Sequence, residues 1–302
     1  MAVIKTDVIT AATFNTLQSR LANVLGNGFA DSGYGQALSS ATVPATTVIT
    51  AAQMDNLRTD INKANVHQTG SLSTLGDISS KSIIGADAIG ADTNKGFNDY
   101  LNAVGDIEAN KFLCDDTQAS VEAAISSSRT TAWNGTITHS FTVSFSSGDA
   151  RRHFFNSGGQ IRFQAQLSGG SGSKDTNWAT MLTNMGTVSF AYNSTTATGS
   201  GTPSAIGNFQ LTTTYQVVFE KNGTSVYAEN AYIIKAKEVS ANQIQFAVEF
   251  QDNDLGEGLN PPGYVPIDEN VTGTITSTIT QRRASGSYVS VTSPSYTNTA
   301  TL

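Results

Sequence analysis

The chain has 302 residues, of which 14% are charged, with one cysteine and a formal net charge of −7. An acidic balance speaks against a nucleic-acid binder, whose affinity comes from Lys and Arg neutralising phosphates, and a single cysteine rules out an internal disulfide framework. Fourteen Phe, nine Tyr and two Trp supply the bulk of a packed core, so the low charge, offset by Ser, Thr, Asn and Gly, does not signal disorder.

The start, Met1 to Asp7, lacks the basic region and long apolar run of a secretory signal, and no window approaches the ~20 apolar residues that span a bilayer. An internal repeat follows at an offset of forty positions: Val8-Ile9-Thr10-Ala11-Ala12 recurs as Val48-Ile49-Thr50-Ala51-Ala52. Thr10 and Thr50 are candidate N-caps. Behind them run two apolar stripes at spacings of three and four, Phe14, Leu17, Leu21 and Val24, then Met54, Leu57 and Ile61, which predict amphipathic helices. The first helix is expected to stop near Gly26-Asn27-Gly28. Residues 27–47 read as an irregular arm. The two stripes make either a hairpin packed on itself or a surface covered by other polypeptides; the second reading is preferred, with Phe14, Leu17, Leu21, Met54, Leu57 and Ile61 as partner-docking residues.

Residues 70–94, rich in Ser, Gly and Asp, read as a linker or extended arm. Helix returns over 95–131, with Phe97, Tyr100, Leu101 and Val104 on one face. Cys114 reads as a small buried residue in this helical segment. A second helix carries Val121, Ala124 and Ile125, with Asp116 or Thr117 as cap.

From residue 132 onward the pattern is mostly β. Phe141, Val143 and Phe145 alternate with small polar residues, as do Ile161, Phe163, Ala165 and Leu167. Arg151 to Phe155 reads as a further strand between them. The Arg151-Arg152 and Arg282-Arg283 pairs read as solvated turn residues at strand ends. A short helix is expected over Asp175–Met185. Further strands run from Phe209 to Phe219, from Val226 to Val239, over Ile244–Phe250 and over Val271–Ile279. The Asn222-Gly223 turn marks a hairpin. The last residues, after Arg283, make either a tail or a strand lent to a neighbour. The expected fold class is α+β: a helical and extended N-terminal region over 1–69, the arm, a short helical segment, and an antiparallel β-sandwich over 132–302 with one short helix.

The run RRHFFNSGGQIRF (151–163), a glycine-serine loop and TNWATMLTNMGTVSF (176–190) carry a resemblance. Together they resemble a structural-protein family of tailed bacteriophages, notably the large phages of cyanobacteria, over about Trp133 to Arg283. The resemblance implies a virion component made in a host cytoplasm, with no catalytic residue to carry over. It leaves open the place in the particle.

Chemistry-bearing residues are sparse. Asp252-Asn253-Asp254-Leu255-Gly256-Glu257-Gly258 is the closest approach to a cation loop. Asp252, Asp254 and Glu257 are candidate calcium ligands, which Asp268 and Glu269 would complete, and an acidic turn is the plainer alternative. His67, His139 and His153 match no zinc spacing. His139 reads as a solvent-side strand residue and His153 as a turn hydrogen-bonder. Gly158-Gly159 and Gly169-Gly170-Ser171-Gly172 read as turn glycines rather than phosphate loops. Arg151, Phe154, Phe155 and Trp178 are expected to hold up the sandwich.

The expectation is therefore a non-enzymatic virion component, assembling as a homo-oligomer with other virion proteins in a neck, collar or tail and baseplate position. No cofactor, nucleic acid or membrane is expected. The alternative is a tail-fibre or head-fibre module binding a host receptor glycan, for which exposed Tyr264, Tyr288 and Tyr296 would speak.

Overall fold

The computed structural model describes residues 9–76, 96–254, 256 and 268–302. In chain order the helices are α1 (Ala11–Leu25), α2 (Ala51–Thr69), α3 (Phe97–Ala109), α4 (Gly148–Asn156) and α5 (Ser173–Met185). The strands are β1 (Ala119–Arg129), β2 (Gly135–Ser144), β3 (Gln160–Ser168), β4 (Val188–Phe190), β5 (Thr195–Ala197) and β6 (Thr202–Pro203). After them come β7 (Gln216–Asn222), β8 (Ala231–Ser240), β9 (Gln243–Asp252), β10 (Thr274–Ala284) and β11 (Ser295–Ala300). The fold is α+β with two antiparallel sheets. Among the described residues, no helix is long and apolar enough to cross a membrane.

The chain divides into two compact units. The first comprises residues 1–120, 152–159 and 283–292; the second comprises 121–151, 160–282 and 293–302. The expected boundary at 131/132 therefore lies inside the second unit. The division also cuts α4 between Arg151 and Arg152. Most of the expected linker lies outside the described residues.

The first unit is helical. Thr10 accepts from the Thr13 amide, and Thr50 and Gln53 form a reciprocal capping box, so both repeats start their helices as the sequence predicts. Helix α1 ends at Gly26, whose amide donates to the Ala22 carbonyl, and α2 ends on Gly70 in the left-handed conformation at φ +73°. Helix α3 packs on both α1 and α2. Phe97, Tyr100, Val104 and Ile107 on α3 are buried in this unit together with the stripes of α1 and α2. The irregular arm is anchored by Asp60 of α2, which accepts from the Ser39 and Ser40 amides (2.8 and 2.7 Å), from the Ser40 hydroxyl (2.7 Å) and from Lys63 (2.8 Å).

The second unit is a sandwich. One sheet has the order β1-β10-β3-β4-β5, the other β11-β2-β9-β8-β7-β6. Their facing surfaces meet through aromatic rings. Phe246 of β9 stacks on Phe141 of β2 at 5.4 Å and meets Phe163 and Phe190 of the opposite sheet edge-on at 5.2 Å each. Such contacts add about 0.5–1.5 kcal/mol per pair beyond area burial. Trp178 of α5 is fully buried, edge-on to Trp133 at 5.1 Å.

Several expectations fail locally. The expected helix around Val121–Ile125 is strand β1, next to β10 at the edge of its sheet. Its apolar residues fit a helical spacing, but sheet pairing overrides that weak preference. Conversely, Arg151–Phe155 is helical: Arg151, Phe154 and Phe155 are the buried positions, spaced three and four apart, on one face of α4. Phe154 and Phe155 belong to the helical unit, not the sandwich they were expected to support. Gly159 makes the return into β3 possible, since a Cβ there would stand 2.4 Å from the Phe154 carbonyl oxygen. The Phe209–Phe219 segment is a short 3₁₀ turn and then β7, so the strand begins only at Gln216. The terminal residues are neither tail nor loan: β11 pairs antiparallel with β2 of the same chain.

Candidate functional site

The six residues expected to dock a partner are placed in the interior. Phe14, Leu17, Leu21, Met54, Leu57 and Ile61 are each 0% exposed in the single chain. The stripes are covered by each other and by α3, the helix that the docking reading left out. This is a correction: a side chain with no accessible surface offers nothing to a second polypeptide without unfolding its own unit.

The acidic segment does gather round a cation, and the cation is a lysine. Lys174, in the first turn of α5, sends Nζ to 3.2 Å from Asp252, 3.3 Å from Asp254 and 3.1 Å from Asp268. It also donates to the Glu269 carbonyl (2.7 Å) and the Asp254 carbonyl (3.5 Å). Five oxygens thus converge on one ammonium whose side chain is 2% exposed. Of the candidate calcium ligands, Asp252 and Asp254 meet here. Glu257 lies outside the described residues. Asp268 and Glu269, expected to complete a calcium site, meet the Lys174 ammonium instead, the latter through its carbonyl.

Next in sequence, Asp175 closes the base of the same region. Its carboxylate accepts from the Gly172 amide (3.0 Å), the Thr272 amide (2.7 Å) and the Thr272 hydroxyl (2.6 Å). The first turn of α5 therefore fixes chain on both sides of residues 255–267: residues 252 and 254 before, 268, 269 and 272 after.

The electrostatics follow from burial and proximity. Burial works against the Lys174 charge, but the hydrogen bond to Asp268 and the charge of Asp252 outweigh it and hold its pKa above the usual lysine value. Burial pushes the Asp252 carboxyl up to about 6, against the pull of Lys174. Its Oδ1 finds no hydrogen-bond partner while Oδ2 faces the ammonium, consistent with that upward push. Asp268 is shifted the other way, below the carboxylate range, chiefly by the hydrogen bond from Asn134 (2.7 Å). As a device this is a tether: breaking a buried ion cluster by removing one member is far costlier than its net contribution to stability.

The histidines are structural in placement. His139 is fully buried rather than solvent-facing, with Nδ1 2.9 Å from the Ser277 hydroxyl and Nε2 2.8 Å from Asn298 Oδ1, and burial lowers its pKa. It spans the two sheets, a position that its alternation with Phe141 already implies once Phe141 faces the core. His153 lies on α4, with Nε2 3.1 Å from the Asn27 carbonyl oxygen. His67 is buried on α2.

The distinctive RRHFFNSGGQIRF segment is committed to internal bonds throughout. Arg151, expected as a solvated turn residue, is 4% exposed; it donates to Asn208 (2.7 Å), Glu238 (2.8 Å) and the Ser240 carbonyl (3.0 Å). Arg152 donates to the Asn27 and Ser32 carbonyls, and Asn156 to that of Gly33. Phe154, Phe155, Ile161 and Phe163 are fully buried. Cys114, expected in a helix, lies in the turn after α3 and is half-buried. Of the three tyrosines, Tyr288 is exposed, Tyr296 donates to Gln281 (2.9 Å) and Tyr264 lies outside the described residues.

The buried charges Lys174 and Asp60 escaped the sequence reading, and so did the burial of Arg282, expected as a solvated turn residue but placed within β10. Lys174 left one signal: a lysine in the first turn of a helix opposes the helix dipole, so an acidic counterpart is to be sought. Asp60 sits mid-helix beside Lys63 and reads as an ordinary surface pair. No family model matches this chain, nor does any curated protein or solved structure.

Proposed function

We propose that this chain is a non-enzymatic structural component of a tailed-phage virion, assembling with copies of itself and other virion proteins in a neck, collar or tail and baseplate position. The observation that carries the reading is the use made of the RRHFFNSGGQIRF segment, where the phage resemblance is strongest. Arg151, Arg152, Phe154, Phe155, Asn156 and Phe163 each hold the chain's own backbone or core. A segment with so many side chains committed to the chain's own fold serves shape, and shape is what a joining subunit contributes to a particle. The Lys174 tether supports the same reading, because it fixes residues 252, 254, 268 and 269 against displacement.

The test is immunogold labelling of purified tailed particles with antibodies raised against the recombinant chain. Label at one fixed position on intact particles is the expected result. Label found only in the particle-free fraction refutes the proposal.

A second reading, a fibre module that binds a host glycan, draws on exposed aromatics of the sandwich unit. Phe209 stacks on Tyr192 at 5.6 Å with much of its face in solvent, and exposed Tyr215 lies under Lys237 at 4.6 Å. Sugars stack on such faces. Saturable binding of the full chain to host cells, lost in a Phe209→Ser variant, would move the assignment to this reading.

A further inference from the structure

Lys174 and Asp252 set an amine beside a carboxyl where water does not reach. The lysine side chain is 2% exposed and the aspartate side chain 0%, with Nζ 3.2 Å from Oδ2. That oxygen is one bond from Cγ, so the nitrogen already lies beside the carboxyl carbon. The second oxygen, Oδ1, is buried with no hydrogen-bond partner. A buried oxygen that faces no donor is better accommodated bearing a proton than a charge, and the upward push on this carboxyl expresses the same preference.

The two elements bring the pair together and keep it dry. Trp178 follows Lys174 by one turn on the same face of α5, and Phe250 precedes Asp252 by two residues on the same side of β9. Both rings are fully buried and lie 6.2 Å apart, and Tyr232 meets Phe250 edge-on at 5.1 Å. The amine and the carboxyl therefore share their sides of helix and strand with an aromatic wall.

We infer that Lys174 and Asp252 condense into an intramolecular isopeptide bond, Nζ to Cγ, with release of one water. The ion cluster is the state from which the bond forms. Asp268, whose Oδ1 is 3.1 Å from Nζ, takes one proton from the ammonium. The amine attacks Cγ of the protonated Asp252 carboxyl and the C–N bond forms. A second amine proton passes to the departing oxygen, and the C–O bond breaks to release water. One ammonium, one carboxylic acid and one carboxylate become one amide, one water and one protonated Asp268, so atoms and charge balance with no outside reactant. Asp268 suits the part of base: the hydrogen bond from Asn134 holds it ionised, and its partly exposed side chain returns the proton to solvent.

Positioning and burial both favour the bond. Groups held in contact react as though at about 10⁵–10⁸ M, and burial keeps away water, the reagent of the reverse reaction. The bond also replaces two buried charges with a neutral amide, which removes the desolvation that a buried ion pair carries. The oxygens that hold Lys174 also keep its proton on, so the step is slow. Once formed, the bond locks α5 to the end of β9 across 78 residues of chain and turns a tether that opens on denaturation into one that does not. It belongs to the sandwich unit alone and does not depend on the virion reading.

The test is intact-mass spectrometry of the full-length chain, kept folded for a week at about pH 6, where Asp252 is in part protonated, and denatured before measurement. The expected mass is one water below that of the sequence, and peptide mapping is expected to find residues 174 and 252 in one cross-linked peptide. Lys174→Arg keeps the cation but offers no nucleophilic amine, and Asp252→Ala removes the acceptor; both are expected to keep full mass. Wild type held unfolded in guanidinium chloride is expected to keep full mass too, because the positioning is gone. If either variant fails to fold, the wild-type map decides alone. A folded wild type of full mass throughout overturns the inference. A cross-link from Lys174 to a residue other than Asp252 overturns the assignment, and an equal water loss in the unfolded chain, the sign of aspartyl cyclisation, overturns it as well.

Discussion

Replacing Lys174 by methionine keeps most of the side chain's volume and removes its charge. Three carboxylates, from Asp252, Asp254 and Asp268, then face one another with no cation between them. Losing one partner of a buried ion pair costs about 3–5 kcal/mol, and the 2% exposure of this side chain places it in that class. For a chain of this length that is a fall in melting temperature of roughly 5–8 °C.

The pH dependence carries the stronger test. Asp252 already has its folded pKa raised from 3.8 to about 6. A raised carboxyl holds its proton more tightly when folded, so its contribution favours the fold below about pH 4 and is lost as pH rises through 6. Without Lys174 that tendency must grow, so the deficit of the variant is expected to be largest above pH 6 and to shrink towards pH 4.5. Urea denaturation followed by circular dichroism at pH 7.5 and pH 4.5 measures both. A deficit under about 1 kcal/mol at pH 7.5, within the range of exposed ion pairs, refutes the reasoning, as does an equal deficit at both pH values. A Lys174→Ala variant adds a second arm. It leaves the five-oxygen cage open, and millimolar calcium is expected to raise its melting temperature but not that of the wild type, after the oxygens close in by roughly half an ångström.

Leu17→Ala should cost about 2–5 kcal/mol by leaving a cavity among α1, α2 and α3, and should leave the association state unchanged; dissociation without loss of stability would restore the docking role that the burial of Leu17 denies. Asp60→Ala removes the acceptor for two arm amides and a hydroxyl, and is expected to cost about 2–4 kcal/mol with raised hydrogen exchange at Ser39 and Ser40; unchanged exchange there would contradict the anchoring role. His139 should titrate by NMR below its ordinary 6.5, because burial disfavours the imidazolium. Its share of stability is then full above pH 6.5 and lost as the pH falls through its folded pKa, so His139→Gln should flatten the acid limb of the stability profile.

Legibility from sequence varied with the kind of interaction. Capped helices were readable because Thr10, Thr50 and Gln53 act within one turn of chain, and the alternation from Phe141 and from Ile161 named real strands. The Val121–Ile125 segment was misread because a short apolar spacing fits either period until a neighbour such as β10 supplies hydrogen bonds. Arg151–Phe155 failed in reverse, since two adjacent aromatics mask the three-and-four spacing of α4. The acidic segment reads most plainly as a turn and second as a calcium loop; the ammonium that Asp252 and Asp254 meet belongs to Lys174, 78 residues from Asp252 in the chain, and no local pattern joins them. The stripes of α1 and α2 were read correctly as apolar, yet what covers them depends on α3 across an intervening arm.

The helical unit closes only with residues 283–292, although its first helix begins at Ala11. On the ribosome, α1, α2 and α3 emerge long before those residues do, and before Phe154 and Phe155 of the same unit. Translation must therefore pass residue 292 before either lobe is whole. A nascent chain stalled midway would show the quality-control machinery two unfinished lobes, not one completed and one pending. Fragments cut at residue 120 or 131 are poor stand-ins for either half.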